Sequence, residues 1–175
     1  LILIALLTSG AIARNTNRDA AALEVAKATL EAHGGEKLNQ AKGMILRGSV
    51  EVSAPNSTQT LPASFAIVVS DQRYRFEIQS TFFNFQQIFD GVNTSSSMPG
   101  LTLPPVNQVG LFILPKISEA GYVVSELPEN PKKKKGFRIT SPDGYFSDYF
   151  VDAKTSLVKE YSSSYDYNGQ KVTTS

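Results

Sequence analysis

From Met44 to Tyr167 the chain repeats one pattern, in which short runs of alternating apolar and polar residues are separated by Pro, Gly, Asp and Asn. A period of two puts successive side chains on opposite faces of an extended backbone, so these runs read as half-buried strands. Met44, Leu46, Val50 and Val52 share one side of the first run, with Arg47, Ser49 and Glu51 on the other. After Pro55-Asn56-Ser57, Phe65, Ile67 and Val69 alternate with Ser64, Ala66 and Val68. Asp71-Gln72 then turns the chain into Tyr74, Phe76 and Ile78, which alternate with Arg73, Arg75 and Glu77. Three runs joined in this way predict an antiparallel meander. Further strands are expected at 85–90, 122–127, 136–141, 145–152 and 157–167, and Asn168-Gly169 is a type I′ hairpin signal. The partner strand begins at Gln170 and the sequence stops at Ser175, so the chain is expected to be cut before its last strand or strands.

Two stretches break the period. Residues 19–33, DAAALEVAKATLEAH, are rich in helix formers and carry Leu23, Ala26 and Leu30 at helical spacing. Asn17 is the expected cap of this helix, Gly34-Gly35 its end, and a short helical turn is expected within 36–41. Residues 93–106, NTSSSMPGLTLPPV, hold too much Ser, Pro and Gly for a regular element and read as a loop of the length that often carries function. The loop leads into 107–120, where Leu111-Phe112-Ile113-Leu114 are apolar on every side of the short helix they would form, with Pro115 capping or kinking it.

With 175 residues the chain is long enough for one buried core and short for two, so a single domain over 17–175 is expected. A formal net charge of +1 provides no field to gather phosphates, which argues against nucleic acid. The absence of Cys removes disulfides, thiolate nucleophiles and thiolate metal sites. The compartment is read instead from Leu1 to Ala13, LILIALLTSGAIA, an apolar run ending in the small-residue pattern Ala11-Ile12-Ala13. It reads as a signal peptide lacking its front, with cleavage after Ala13, and predicts export without stable membrane insertion afterwards.

Residues for catalysis are scarce. His33 is the single histidine, and its place at a helix C-terminus favours a structural role, where imidazole suits the dipole. Asp148 and Asp152 share a strand face, but four residues of strand span roughly 13 Å, beyond the ~5–9.5 Å of a glycosidase pair. Lys132 to Lys135 read as a solvated tip that discourages edge pairing. Neither a calcium loop, a nucleophile elbow nor a phosphate-cradling glycine loop is present, so no enzyme, metal or cofactor is expected. The aromatic residues, by contrast, exceed what one short helix covers. Plain core packing accounts for many of them. The functional reading makes part of this surface an apolar cavity, with Phe65, Ile67, Tyr74, Phe76, Ile78, Phe89, Leu111, Phe112 and Leu114 as candidate liners and the Leu111–Leu114 segment with the Ser/Pro loop as a movable cover.

The order of elements carries a resemblance: a helix ending His33-Gly34-Gly35, then Lys37-Leu38, a strand with Arg47-Gly48, a meander, Phe89-Asp90-Gly91, a loop with an apolar segment, and the run 149–158, YFVDAKTSLV. The chain resembles the bacterial outer-membrane lipoprotein-sorting proteins of the LolA/LolB type and the envelope proteins that share their fold. The resemblance covers roughly 23–172. It implies an α+β, mainly β domain: a curved antiparallel sheet, an incomplete barrel, closed by an N-terminal helix and a short apolar helix over one face. It also implies a non-catalytic periplasmic carrier for lipid or lipoprotein acyl chains, with Arg47 as the residue that latches the cover. The competing expectation is a structural or regulatory envelope protein that binds another protein through its sheet face or edge.

Overall fold

Each alternating run pairs with its neighbour in sequence, the cheapest way to satisfy strand backbone groups, since a short turn closes the pair at little entropic cost. The computed structural model describes residues 9–53, 58–128, 134–167 and 170–174. It opens with helix α1 (Ser9–Ala32) and the single turn α2 (Glu36–Asn39). An antiparallel meander follows, β1 (Gly43–Ser53), β2 (Thr60–Ser70), β3 (Arg73–Gln79), β4 (Asn84–Phe89) and β5 (Thr94–Ser96), forming a five-stranded sheet in that order. The second five-stranded sheet runs β6 (Val123–Ser125), β7 (Gly136–Thr140), β8 (Phe146–Val151), β9 (Val158–Tyr167) and β10 (Gln170–Thr174), again with each strand beside its sequence neighbour.

The mainly β, antiparallel class therefore holds, but the strands divide between two sheets that do not close into a barrel. Between them lies the apolar segment, which takes three 3-10 turns, Val106–Gln108, Gly110–Phe112 and Leu114–Lys116, where a helix covering one face was expected. Pro115 and the positive φ of Gly110 (59°) both interrupt a continuous α-helical ladder. The expected loop at 93–106 also contains a strand: β5 pairs Thr94 with Phe89 and Ser96 with Gln87, after a turn in which Asp90 Oδ1 accepts the Val92 and Asn93 amides. Asn168 and Gly169 lie outside the described residues, but β9 and β10 pair in register, Tyr167 opposite Gln170.

Two cores form, one per sheet. In the first, cross-strand rows line up as Met44–Val69–Tyr74–Phe89 and Leu46–Ile67–Phe76–Gln87, and Val106 and Phe112 pack onto them. Gly48 leaves room in the next row, because a Cβ there would lie 2.9 Å from the Phe65 ring. In the second core, Ala22, Ala26 and Leu30 of α1 meet Ile113, Leu114 and Ile117 over Phe137, Ile139, Tyr149 and Val151. The Phe137 and Tyr149 rings stack at 4.8 Å. The apolar segment is thus a two-sided wedge, with Phe112 turned into the first core and Ile113 and Leu114 into the second. Each of these three side chains contributes about 1.5–3 kcal/mol by leaving water.

Helix α1 begins well before Asn17, which lies inside it and does not cap it. Its buried stripe is Ala22, Ala26, Thr29 and Leu30, so Leu23 stands beside that stripe and not in it. The other end matches expectation: Gly35 N–H reaches Leu30 O and Gly34 N–H reaches Glu31 O, a Schellman closure with Gly34 at φ 113°.

Candidate functional site: a cleft between the sheets

Gln87 is the residue from which the site is built. It occupies an inward position of β4 between Phe85 and Phe89 and is fully buried. A buried amide needs partners, and Gln87 finds them across the layer: Nε2 donates to Leu103 O (2.9 Å) and to Tyr74 Oη (2.7 Å), while Oε1 accepts Leu103 N–H (2.7 Å). The Ser/Pro loop is therefore held to the first sheet by a two-way amide clamp at Leu103. Gln108, at the end of the first 3-10 turn of the wedge, ties that turn to the β7–β8 turn, with Nε2 donating to Asp143 (2.6 Å) and Oε1 accepting from Ser141 Oγ (3.0 Å).

These two ties hold open a cleft of about 570 Å³, lined by Tyr74, Phe89 and Thr94 of the first sheet, Thr102 to Pro105 of the loop, Asn107 and Gln108 of the first 3-10 turn, Asp143 and Tyr145 of the β7–β8 turn and Tyr165 of β9, with Gln72. That volume lies within the ~300–1,000 Å³ of small-molecule sites. The Tyr74 and Phe89 rings lie 5.7 Å apart. Burial pushes the Tyr74 hydroxyl above the usual phenol range, hydrogen bonds from Gln87 and Thr94 oppose this, and neighbouring Tyr145 adds to it, so Tyr74 presents a neutral hydroxyl. Asn107 is buried; its Nδ2 donates to Gln72 O (3.3 Å), which fixes the amide's orientation and leaves Oδ1 buried without a hydrogen-bond partner. A second, smaller cleft of about 300 Å³ opens on the other side of Asn107, between α2, the start of β1 and the wedge, with Phe112 and Met44 in its lining.

Of the residues expected to line a cavity, Tyr74 and Phe89 line the larger cleft and Phe112 the smaller. Phe65, Ile67 and Phe76 pack within the first core, and Leu114 is wholly buried in the second. Ile78 lies in the row between Phe65 and Phe85, and Leu111 is half-buried in the wedge. Arg47 is exposed on β1 opposite Ala66, on the face away from Leu46 and the first core, so it lies across the sheet from the segment it was expected to latch. That segment is itself a packed wedge and not an external cover.

The remaining polar candidates have structural roles. His33 Nδ1 donates to Thr29 O at 2.8 Å. Asp148 makes a two-pronged pair with Arg138 (2.6 and 2.7 Å), whose guanidinium lies 3.8 Å over the Phe146 ring. Asp152 terminates β8; Lys159 and the Thr155 and Lys154 amides hold its carboxyl far below the usual range. Lys132 and Lys133 lie outside the described residues, while Lys134 sits 4.9 Å over the Phe150 ring and Lys135 reaches Ser156. Among the described residues no group of three or more His, Asp or Glu is placed to hold a metal ion, and no helix is long and apolar enough to cross a membrane.

No family model, curated protein or solved structure matches the chain. The reading of its function therefore stands on the cleft.

Proposed function

We propose that the chain is a non-catalytic binding module that takes a small amphiphile into the cleft between its sheets. The observation that carries this reading is the cleft's make-up: the rings of Tyr74, Phe89, Tyr145 and Tyr165 with Leu103, Pro104 and Pro105, interrupted by a few hydroxyl, amide and carboxylate groups. Sites of this composition bury an apolar body by area and orient it with a small number of polar contacts. An acyl chain is one such body, which keeps the reading within the lipid-carrier expectation drawn from the resemblance. The exported, periplasmic setting belongs to the same proposal and rests on the Leu1 to Ala13 run. What differs is the device, since the guest enters beside the clamped Ser/Pro loop and not beneath a swinging cover.

A neutral naphthylamine dye tests the reading. N-phenyl-1-naphthylamine brightens on leaving water, and the protein is expected to bind it at micromolar concentration. Tyr145→Ala and Phe89→Ala should each weaken binding by about tenfold, the loss of one buried ring. An unbrightened dye with folded wild-type protein would sink the proposal.

A further inference from the structure

The cleft carries a charge preference. Among the described residues its lining includes one acidic side chain, Asp143, and no Lys, Arg or His. That carboxylate is held in place at the rim: Gln108 Nε2 donates to it, and Gln108 is itself fixed by Ser141. Four aromatic rings, Tyr74, Phe89, Tyr145 and Tyr165, share the lining, and ring faces attract cations through their quadrupole. Carboxylate and rings both favour a positive head, and among the described residues nothing in the lining compensates an anionic one.

On this basis we propose that the amphiphile taken by the cleft has an ammonium head, and that free fatty acids and phosphate-headed lipids are disfavoured. This deepens the proposed function and rests on the same cleft. The apolar tail lies along Leu103, Pro104 and Pro105, and the head sits among the rings within reach of Asp143.

The test compares heads on one tail, so that tail burial cancels. Decylammonium, decyltrimethylammonium, decanol and decanoate, each below its micellar concentration, displace the bound naphthylamine at neutral pH and low salt. Decylammonium is expected to displace it at about one-tenth the concentration that decanoate requires, with decanol between them. Asp143→Asn keeps a turn-compatible residue and should shrink the ammonium-to-carboxylate ratio severalfold. Tyr145→Leu, which keeps apolar bulk and removes a ring face, should shrink it independently. A wild-type protein that binds decanoate as well as decylammonium overturns the charge preference and leaves the cleft reading standing. A ratio that neither variant moves also overturns the preference. Failure of the dye itself to bind removes both.

Discussion

The Tyr149 hydroxyl donates to the Gly110 carbonyl at 2.5 Å, in a place where neither group meets water. The same glycine donates its N–H to Ser147 Oγ at 2.7 Å, so β8 grips the wedge by both backbone groups of one residue. Tyr149→Phe removes one of these bonds and keeps the ring stacked on Phe137, while the Gly110 carbonyl keeps the Ile113 N–H as a partner. The expected loss of stability is about 0.5–1.5 kcal/mol, read as a lower urea midpoint at unchanged slope. An unchanged midpoint would show that the bond contributes nothing to holding the wedge.

Gly110 is also a position where only glycine fits. Its φ is 59°, and a Cβ there would lie 2.6 Å from the ring of Tyr161. Gly110→Ala combines left-handed strain with overpacking, and the expected cost is about 2–4 kcal/mol. Gly100 provides the control, since its φ is 80° but a Cβ would meet nothing within 4 Å. Gly100→Ala should therefore cost only the backbone strain, about 1 kcal/mol. Equal thermal shifts for the two variants would show that the Tyr161 contact is not what confines Gly110.

The strands were legible because each buries one face, which writes a period of two directly into the residues, as in Tyr74, Phe76 and Ile78. Their division into two sheets was not. Local alternation says which face is apolar and nothing about which neighbour covers it, and β5 is too short and polar to announce itself. The wedge was half legible: Leu111 to Leu114 are apolar all round, which fits burial from both sides as well as a helix under a sheet, and the positive φ of Gly110 decides between them. The cleft was least legible. Tyr74 and Phe89 were read as apolar liners, but Asn107, Gln108, Asp143, Tyr145 and Tyr165 come together only through tertiary contacts. One signal for it was present in the sequence: Gln87 is polar at an inward position between Phe85 and Phe89, where a residue must find buried partners.

Gln87→Leu should show what the amide clamp does. Leucine fits the volume but removes the bonds that Gln87 makes to Leu103 N–H, Leu103 O and Tyr74 Oη. Stability is expected to fall by roughly 1–3 kcal/mol. The more specific readout is local: the Leu103 amide should exchange with deuterium far faster than in wild type while amides in β7 and β8 keep their protection. Naphthylamine affinity should fall with it, because the clamped loop forms one wall of the cleft. Unaltered exchange at Leu103 would mean the loop is held by something other than Gln87.

Alkaline pH is expected to unfold the protein from inside. Burial raises the hydroxyls of Tyr74, Tyr149 and Tyr161 above the ordinary phenol value of 10.0, most strongly at Tyr149, where neighbouring Tyr161 adds to the effect. Below the unfolded value, folded and unfolded chains both keep these protons and the groups contribute no pH dependence. As pH rises through about 10 the unfolded chain releases them first, so the native state holds more protons and stability falls with each further rise. The informative quantity is a difference between wild type and a variant that lacks one of these hydroxyls. Between about pH 9 and 11.5 the stability of Tyr149→Phe should decline less steeply than that of wild type, because phenylalanine has no proton to lose. Parallel curves would mean that Tyr149 is reached by solvent before it ionises, and that the grip of β8 on Gly110 opens ahead of the rest of the fold.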